Sequence, residues 1–190
     1  MKVIPTDYDG FRFRSRLEAR WAVFFDVAGI DFLYESEGVI VPSTVVQGWT
    51  KDRVQYLPDF FLPDHNLWVE CKAQWSPPEA AKAFNAAAHL SSNGADVLLA
   101  PDIFRQPRGG SRLPWVLHHE DGELTATPWP HLEEFFVELV ASSSDPTVFQ
   151  DAPDLLRGFR HDEPAPDWFR SAASAAQRAR FEFGETPARP

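Results

Sequence analysis

The stretch Tyr56 to Gln74, "YLPDFFLPDHNLWVECKAQ", constrains the fold more than any other part of the chain. Two apolar, aromatic runs flank a Pro-Asp-His-Asn break, the pattern of two strands around a short turn. Asp59, Glu70 and Lys72 lie inside those runs. One register reconciles the charges with the carbon. With Pro63 opposite Asn66 and Asp64-His65 at the tip, residues 60/69, 61/68 and 62/67 pair and Asp59 falls opposite Glu70. Side chains alternate along a strand, so Asp59, Glu70 and Lys72 then share one face, while Phe60, Val69 and Cys71 point to the other. A slip of one residue would separate Asp59 from the other two.

Two carboxylates that close repel unless positive charge stands between them. A hard divalent ion such as Mg²⁺ suits such a pair, with the backbone carbonyl of Cys71 as a further oxygen. Lys72 beside it could orient or deprotonate a water, or neutralise charge on a phosphoryl oxygen. The competing arrangement is an Asp59–Lys72 cross-strand salt bridge with Glu70 in solvent. Phe60, Phe61, Leu62, Leu67, Trp68 and Val69 weigh against it, because they imply a strand pair covered on both faces.

Elsewhere the pattern predicts a helix over "SRLEARWAVFFDVAGI", with Ser15 and Glu18 spaced as a capping box and Gly29 as its stop. Extended segments follow in "IDFLYESEGVIV". A second helix is expected in "PPEAAKAFNAAAHLSSNG", then a buried strand, "ADVLLAP". "LPWVLHHEDGELTATPW" reads as a hairpin around Asp121-Gly122, and "HLEEFFVELVA" as a third helix. His118 and His119 are adjacent in that hairpin, so at most one could face a site. Beyond Ser142 the Pro- and Asp-rich texture predicts a linker, then an amphipathic helix in "DWFRSAASAAQRARFEF". The expected organisation is a domain over 1–142 and a linker with a helical extension over 143–190, which could pack on the core or serve a protein partner.

Sixteen Phe and seven Trp supply ample core material, which excludes a globally disordered chain. No run has the length of a membrane span, and the start lacks a signal-peptide layout. The single cysteine agrees with a reducing, cytoplasmic setting. A net charge of -10 argues against a general nucleic-acid coat protein. The charge is uneven, however. Arg12, Arg14, Arg16 and Arg20 cluster near the start, and "RQPRGGSR" carries Arg105, Arg108 and Arg112. Basic residues are 14 Arg against 4 Lys, so a lysine within a strand is a chosen residue type.

Pro58-Asp59, ten intervening residues and Glu70-Cys71-Lys72 resemble the signature of the PD-(D/E)xK nuclease superfamily. The dipeptide Pro-Asp occurs five times, but Glu-x-Lys occurs once, and only Asp59 has the hairpin register to meet it. The resemblance covers Phe11 to Ala100. It implies an α/β, restriction-endonuclease-like αβββαβ core, a central mixed sheet flanked by helices, followed here by the hairpin and helical extension. It implies a Mg²⁺-dependent endonuclease (Mn²⁺ able to substitute) that hydrolyses DNA phosphodiester bonds. Asp59 and Glu70 would bind metal together with the Cys71 carbonyl, Glu18 would add to that set, and Lys72 would complete the catalytic group. Arg12, Arg14, Arg16, Arg20, Gln74, Arg105, Arg108 and Arg112 would meet DNA. A homodimer would suit cleavage of both strands. In texture, including "AAQRARFEFGE", the chain resembles small proteins of actinobacteria and their phages, where replication, recombination and defence are the roles implied. The alternative is a catalytically silent DNA-binding or assembly subunit on the same fold.

Overall fold

The computed structural model describes residues 4–42, 53–91, 93–105, 111–120, 123–130, 137–139, 159–161 and 165–181. In chain order, the elements are β1 (Thr6–Tyr8), β2 (Phe11–Phe13), α1 (Arg16–Ala28), β3 (Leu33–Tyr34), β4 (Val39–Pro42), β5 (Arg53–Tyr56), β6 (Phe60–Leu62) and β7 (Leu67–Lys72). They continue with α2 (Pro77–Ser91), β8 (Asp96–Pro101), β9 (Ser111–Leu113), β10 (Trp115–Glu120), β11 (Glu123–Pro128), β12 (Val137–Leu139), β13 (Phe159–His161) and α3 (Asp167–Arg178). The chain is mixed α/β. Its central sheet has the order β12-β11-β10-β8-β7-β6-β3 and is flanked by helices. Within it β7 and β8 run parallel, joined through α2, and the other described pairs are antiparallel.

The β6–β7 pairing follows the expected register over Phe60↔Val69, Phe61↔Trp68 and Leu62↔Leu67, but it stops short of the expected Asp59–Glu70 pair, because Asp59 meets β7 through the Val69 carbonyl and, by its side chain, the Cys71 N–H. A 3-10 turn over Pro63–His65 closes it, with Asn66 left-handed at φ 48°. Asparagine tolerates that conformation because its short polar side chain bonds locally. Here Asn66 Nδ2 also donates to the Gly94 carbonyl.

Period-2 alternation assigns the two faces. Leu67, Val69 and Cys71 of β7, with Leu98 and Ala100 of β8, pack beneath α1 and α3. Val97 and Leu99 point the other way, toward Ala83, Phe84 and Ala87 of α2 and toward Val41 and Tyr56 of β4 and β5. Helix α1 starts where Ser15, extended at φ −139° and ψ 159°, accepts the Glu18 N–H on its Oγ. It stops at Gly29, whose φ of 70° few side chains tolerate. Leu17, Trp21, Phe24 and Phe25 are buried as the helical spacing requires, and Glu18 is buried with them. Helix α3 packs on α1, with Phe169 4.9 Å from Phe24 and 5.9 Å from Trp129 between ring centroids. The extension predicted beyond Ser142 thus contributes side chains to the main core.

Two expectations need correction. "RVQYLPDFFLP", read as the first strand of the hairpin, is two strands, whereas "IDFLYESEGVIV" divides into separate extended segments as expected. Strand β3 pairs with β6 (Leu33↔Phe61, Tyr34↔Phe60), while β4 pairs with β5 in a separate small sheet (Val39↔Tyr56). Between those pairings residues 35–38 face residues 57–59, so one strand carries an extra residue. Such a bulge bends the ribbon and re-aims side chains. Pro58, which lacks an N–H, sits at the bend, and Glu35 takes φ 44°. The second correction concerns "HLEEFFVELVA". Its residues Val137–Leu139 form β12, paired with Leu124–Ala126 of β11. The helical spacing was real, but the open edge of β11 offers those residues a ladder of backbone bonds, and tertiary pairing overrides local propensity. Residues 131–136 lie outside the described residues.

Candidate functional site

The bulge delivers Asp59 to the C-terminal end of β7. Its N–H donates to the Val69 carbonyl at 2.9 Å and its carbonyl accepts from the Glu35 N–H at 2.9 Å. These bonds hold the backbone in line with the hairpin while the side chain turns inward. Asp59 is buried, and both carboxylate oxygens are engaged. Oδ2 accepts the Cys71 N–H at 2.7 Å, and Oδ1 accepts from Arg14 Nη2 at 2.7 Å.

Glu18 reaches the same region from α1. Oε1 accepts the Ser15 hydroxyl at 2.6 Å, and Oε2 accepts both the Tyr34 hydroxyl at 2.7 Å and the Arg14 N–H at 3.0 Å. The expected capping box is therefore half formed: Ser15 caps Glu18, but the carboxylate turns to Arg14 and Tyr34 rather than to the Ser15 N–H. Glu70 approaches from the α2 face of β7, where Tyr56 donates to Oε2 at 2.8 Å. Lys72 pairs with Glu79 at 3.1 Å, and Lys82 stands 5.5 Å from the Tyr56 ring centroid. The competing Asp59–Lys72 salt bridge is not formed; Asp59 pairs with Arg14 and Lys72 with Glu79.

The electrostatics report a crowded set of negative charge. Burial, then the charges of Glu70 and Glu18, push the Asp59 carboxyl well above the ordinary carboxylate range, against the pull of the Cys71 N–H and Arg14. Burial raises Glu70 as well, against the Tyr56 hydrogen bond and the positive charges of Lys72, Lys82 and Arg14. Lys72 shifts upward: burial works against its charge, but the hydrogen bond and charge of Glu79, with Glu70 and Asp59, outweigh it. Lys72 is thus held as an ammonium. Glu79 falls to about 2 because the Ser76 hydroxyl and N–H bond its carboxylate. The Cys71 thiol is buried and pushed upward by that burial, so no thiolate is available.

As they lie, no three His, Cys, Asp or Glu side chains among the described residues are disposed to hold a metal ion. Asp59 and Glu18 spend their oxygens on protein donors, and Glu70 bonds Tyr56 on the α2 side of β7. The donor chemistry nevertheless fits a hard divalent ion. Asp59 and Glu70 are oxygen ligands whose raised pKa values a nearby cation would relieve, and the Cys71 carbonyl belongs to the same strand. Arg14 already occupies Asp59 Oδ1.

Hydrogen bonds join Glu18, Arg14 and Asp59, whereas Glu70 and Lys72 bond Tyr56 and Glu79 and reach Asp59 only as nearby charge. Arg12 is exposed on β2, Arg16 and Arg20 are half-buried on α1, and Gln74 is exposed just past β7. The side chains of Arg105 and Arg112, and all of Arg108, lie outside the described residues. His118 belongs to β10, separated from β7 by β8; its carbonyl accepts the Thr125 hydroxyl. Tyr34, Glu35, Tyr56, Glu79 and Lys82 were not anticipated. A signal existed for two of them. Glu79 and Lys82 are three apart in α2 and so share a face, and Lys82 is one of the chain's 4 lysines. Among the described residues no helix is long and apolar enough to cross a membrane. Compared with known proteins, the chain matches no family model, no curated protein and no solved structure.

Proposed function

We propose that the chain is a Mg²⁺-dependent endonuclease that hydrolyses DNA phosphodiester bonds. The observation that carries the reading is the mutual electrostatic influence of Asp59, Glu70 and Lys72, with Asp59 bonded to the Cys71 N–H between the other two. The order α1, β3, β6, β7, α2, β8 supports a restriction-endonuclease-like core, with β4–β5 inserted as an outlying ribbon.

Asp59, Glu70 and the Cys71 carbonyl would hold the ion, with Glu18 behind them. A magnesium ion there supplies Lewis acidity and makes water easier to deprotonate. The protein's own groups do the rest. Tyr56 fixes the rotamer of Glu70, and the Cys71 N–H fixes that of Asp59, so both acids are oriented before substrate arrives. Lys72, kept charged, suits placing an ammonium against a phosphoryl oxygen rather than accepting a proton. The exposed Arg12 and the half-exposed Arg14 suit contact with the phosphate backbone.

The test is cleavage of duplex, single-stranded, nicked and branched DNA with Mg²⁺ or Mn²⁺. Asp59→Ala and Lys72→Ala should each lower the rate by about 100-fold or more, the scale of losing one charge-stabilising group. Unchanged cleavage in both variants, or no cleavage of any substrate by folded protein, would sink the reading. One observation favours the alternative of a catalytically silent DNA-binding or assembly subunit: Asp59 is already neutralised by Arg14. Metal-dependent thermal stabilisation separates the two readings, because only a functioning carboxylate pair binds the ion in the folded state.

A further inference from the structure

Arg14 is the residue that departs most from its expected place. Its guanidinium lies between two acids, with Nη2 2.7 Å from Asp59 Oδ1 and Nε 2.5 Å from Glu35 Oε1. The two contacts differ in kind. The Asp59 contact is a hydrogen bond. Glu35 Oε1 is buried and receives no hydrogen bond, so Nε meets it as charge against charge. Arg14 therefore lacks the parallel, two-bond fork that makes arginine–carboxylate pairs durable. Its side chain is 54 % exposed, whereas that of Asp59 is 7 % exposed. One partner can swing into solvent and the other cannot.

Asp59 has one further constraint. Oδ2 is tied to the Cys71 N–H inside β7, so Oδ1 is the oxygen left to face an incoming ion, and Arg14 holds it. We infer that Arg14 is an internal stand-in cation: a divalent ion and the Arg14 guanidinium exclude one another at Asp59 Oδ1, and a nucleic-acid phosphate that draws Arg14 away promotes metal binding. The inference rests on the metal-dependent reading above and deepens it. It makes Arg14 a positioning residue that couples two ligands. Free protein keeps its acids neutralised by a side chain, and the ion enters as the phosphate backbone arrives. By linkage, whatever factor DNA adds to metal affinity, metal adds to DNA affinity.

The experiment is calorimetric titration of Mn²⁺ into folded wild type, Arg14→Gln and Asp59→Asn, with and without a short DNA duplex. Without DNA, Arg14→Gln should bind Mn²⁺ about 5- to 150-fold more tightly than wild type, the range of ordinary coupling energies. The duplex should tighten Mn²⁺ binding to wild type by a comparable factor and leave Arg14→Gln nearly unchanged. Asp59→Asn should bind weakly in every condition. Equal or weaker Mn²⁺ binding by Arg14→Gln, while wild type binds and Asp59→Asn does not, overturns the inference and leaves the metal-dependent reading standing. Absence of Mn²⁺ binding in both wild type and Arg14→Gln overturns both. Should Arg14→Gln fail to fold, Glu35→Gln serves instead: it loosens one side of the guanidinium and should tighten Mn²⁺ binding in the same direction, and no tightening overturns the inference.

Discussion

Replacing Tyr34 by phenylalanine removes one oxygen from the middle of the site and leaves the ring. The hydroxyl donates to Glu18 Oε2 at 2.7 Å and accepts the Arg14 N–H at 3.0 Å. The first bond is to a buried carboxylate, and hydrogen bonds to charged groups are worth about 1.5–3 kcal/mol net. The second is nearly free to lose, since the Arg14 N–H already bonds Glu18 Oε2. Ring packing survives, because the Tyr34 centroid lies 4.6 Å from that of Phe13 and 5.4 Å from that of Phe60, and Phe keeps both contacts. The expected loss is therefore about 1.5–3 kcal/mol, or about 3–12 °C in Tm at about 2–4 °C per kcal/mol for a chain of this length. Urea unfolding followed by circular dichroism measures the first quantity and a thermal scan the second. Tyr34→Ala, which also gives up the ring, should lose more. A Tm within about 1 °C of wild type for Tyr34→Phe would refute the argument, since the hydroxyl would then contribute nothing to holding Glu18.

Two further outcomes follow from the same geometry. Asp59 and Glu70 would titrate near 3.8 and 4.5 in the unfolded chain and titrate higher when folded, so the folded state binds more protons between those limits. Their contribution to stability is present below the unfolded values and is lost as pH rises through the folded ones. The metal-free protein should thus lose stability from about pH 4 toward neutrality, and Asp59→Asn should flatten that slope in urea midpoints taken across the range. An identical slope in the variant would mean that Asp59 does not carry the effect. Phe169→Ala should cost about 3–5 kcal/mol, as for a large aromatic removed from a core. A loss below about 1 kcal/mol in urea unfolding would show α3 detached from α1 in solution.

How much of this was legible before the structure depends on sequence distance. The β6–β7 register could be read because a period of two and a four-residue turn leave one arrangement that keeps Phe60, Leu62, Leu67, Val69 and Cys71 on the core face. Helix α1 could be read from Ser15, Gly29 and the spacing of Leu17, Trp21, Phe24 and Phe25. The bulge at residues 35–38 could not, because it exists only when two distant segments are counted against each other. The same holds for the partners of the charged groups. Asp59 meets Arg14 and Glu18 meets Tyr34 through the packing of α1 and β3 on the sheet, which no local pattern encodes. Val137–Leu139 misled for the opposite reason: their own spacing was helical, and only the neighbouring edge of β11 makes them a strand.

The packing of α3 on α1 also bears on how the chain comes into being. Phe24 leaves the ribosome long before Phe169, a ring that packs against it. Until then that flank of α1 lacks the α3 rings, and Phe104 and Trp129, which also pack on Phe24, arrive in between. The sheet edge, the hairpins and α2 can all be assembled from segments already translated. The packing of α3 on α1 cannot, so apolar surface on α1 stays exposed until α3 has been made. The aromatic flank of α1 therefore depends on α3 for its cover.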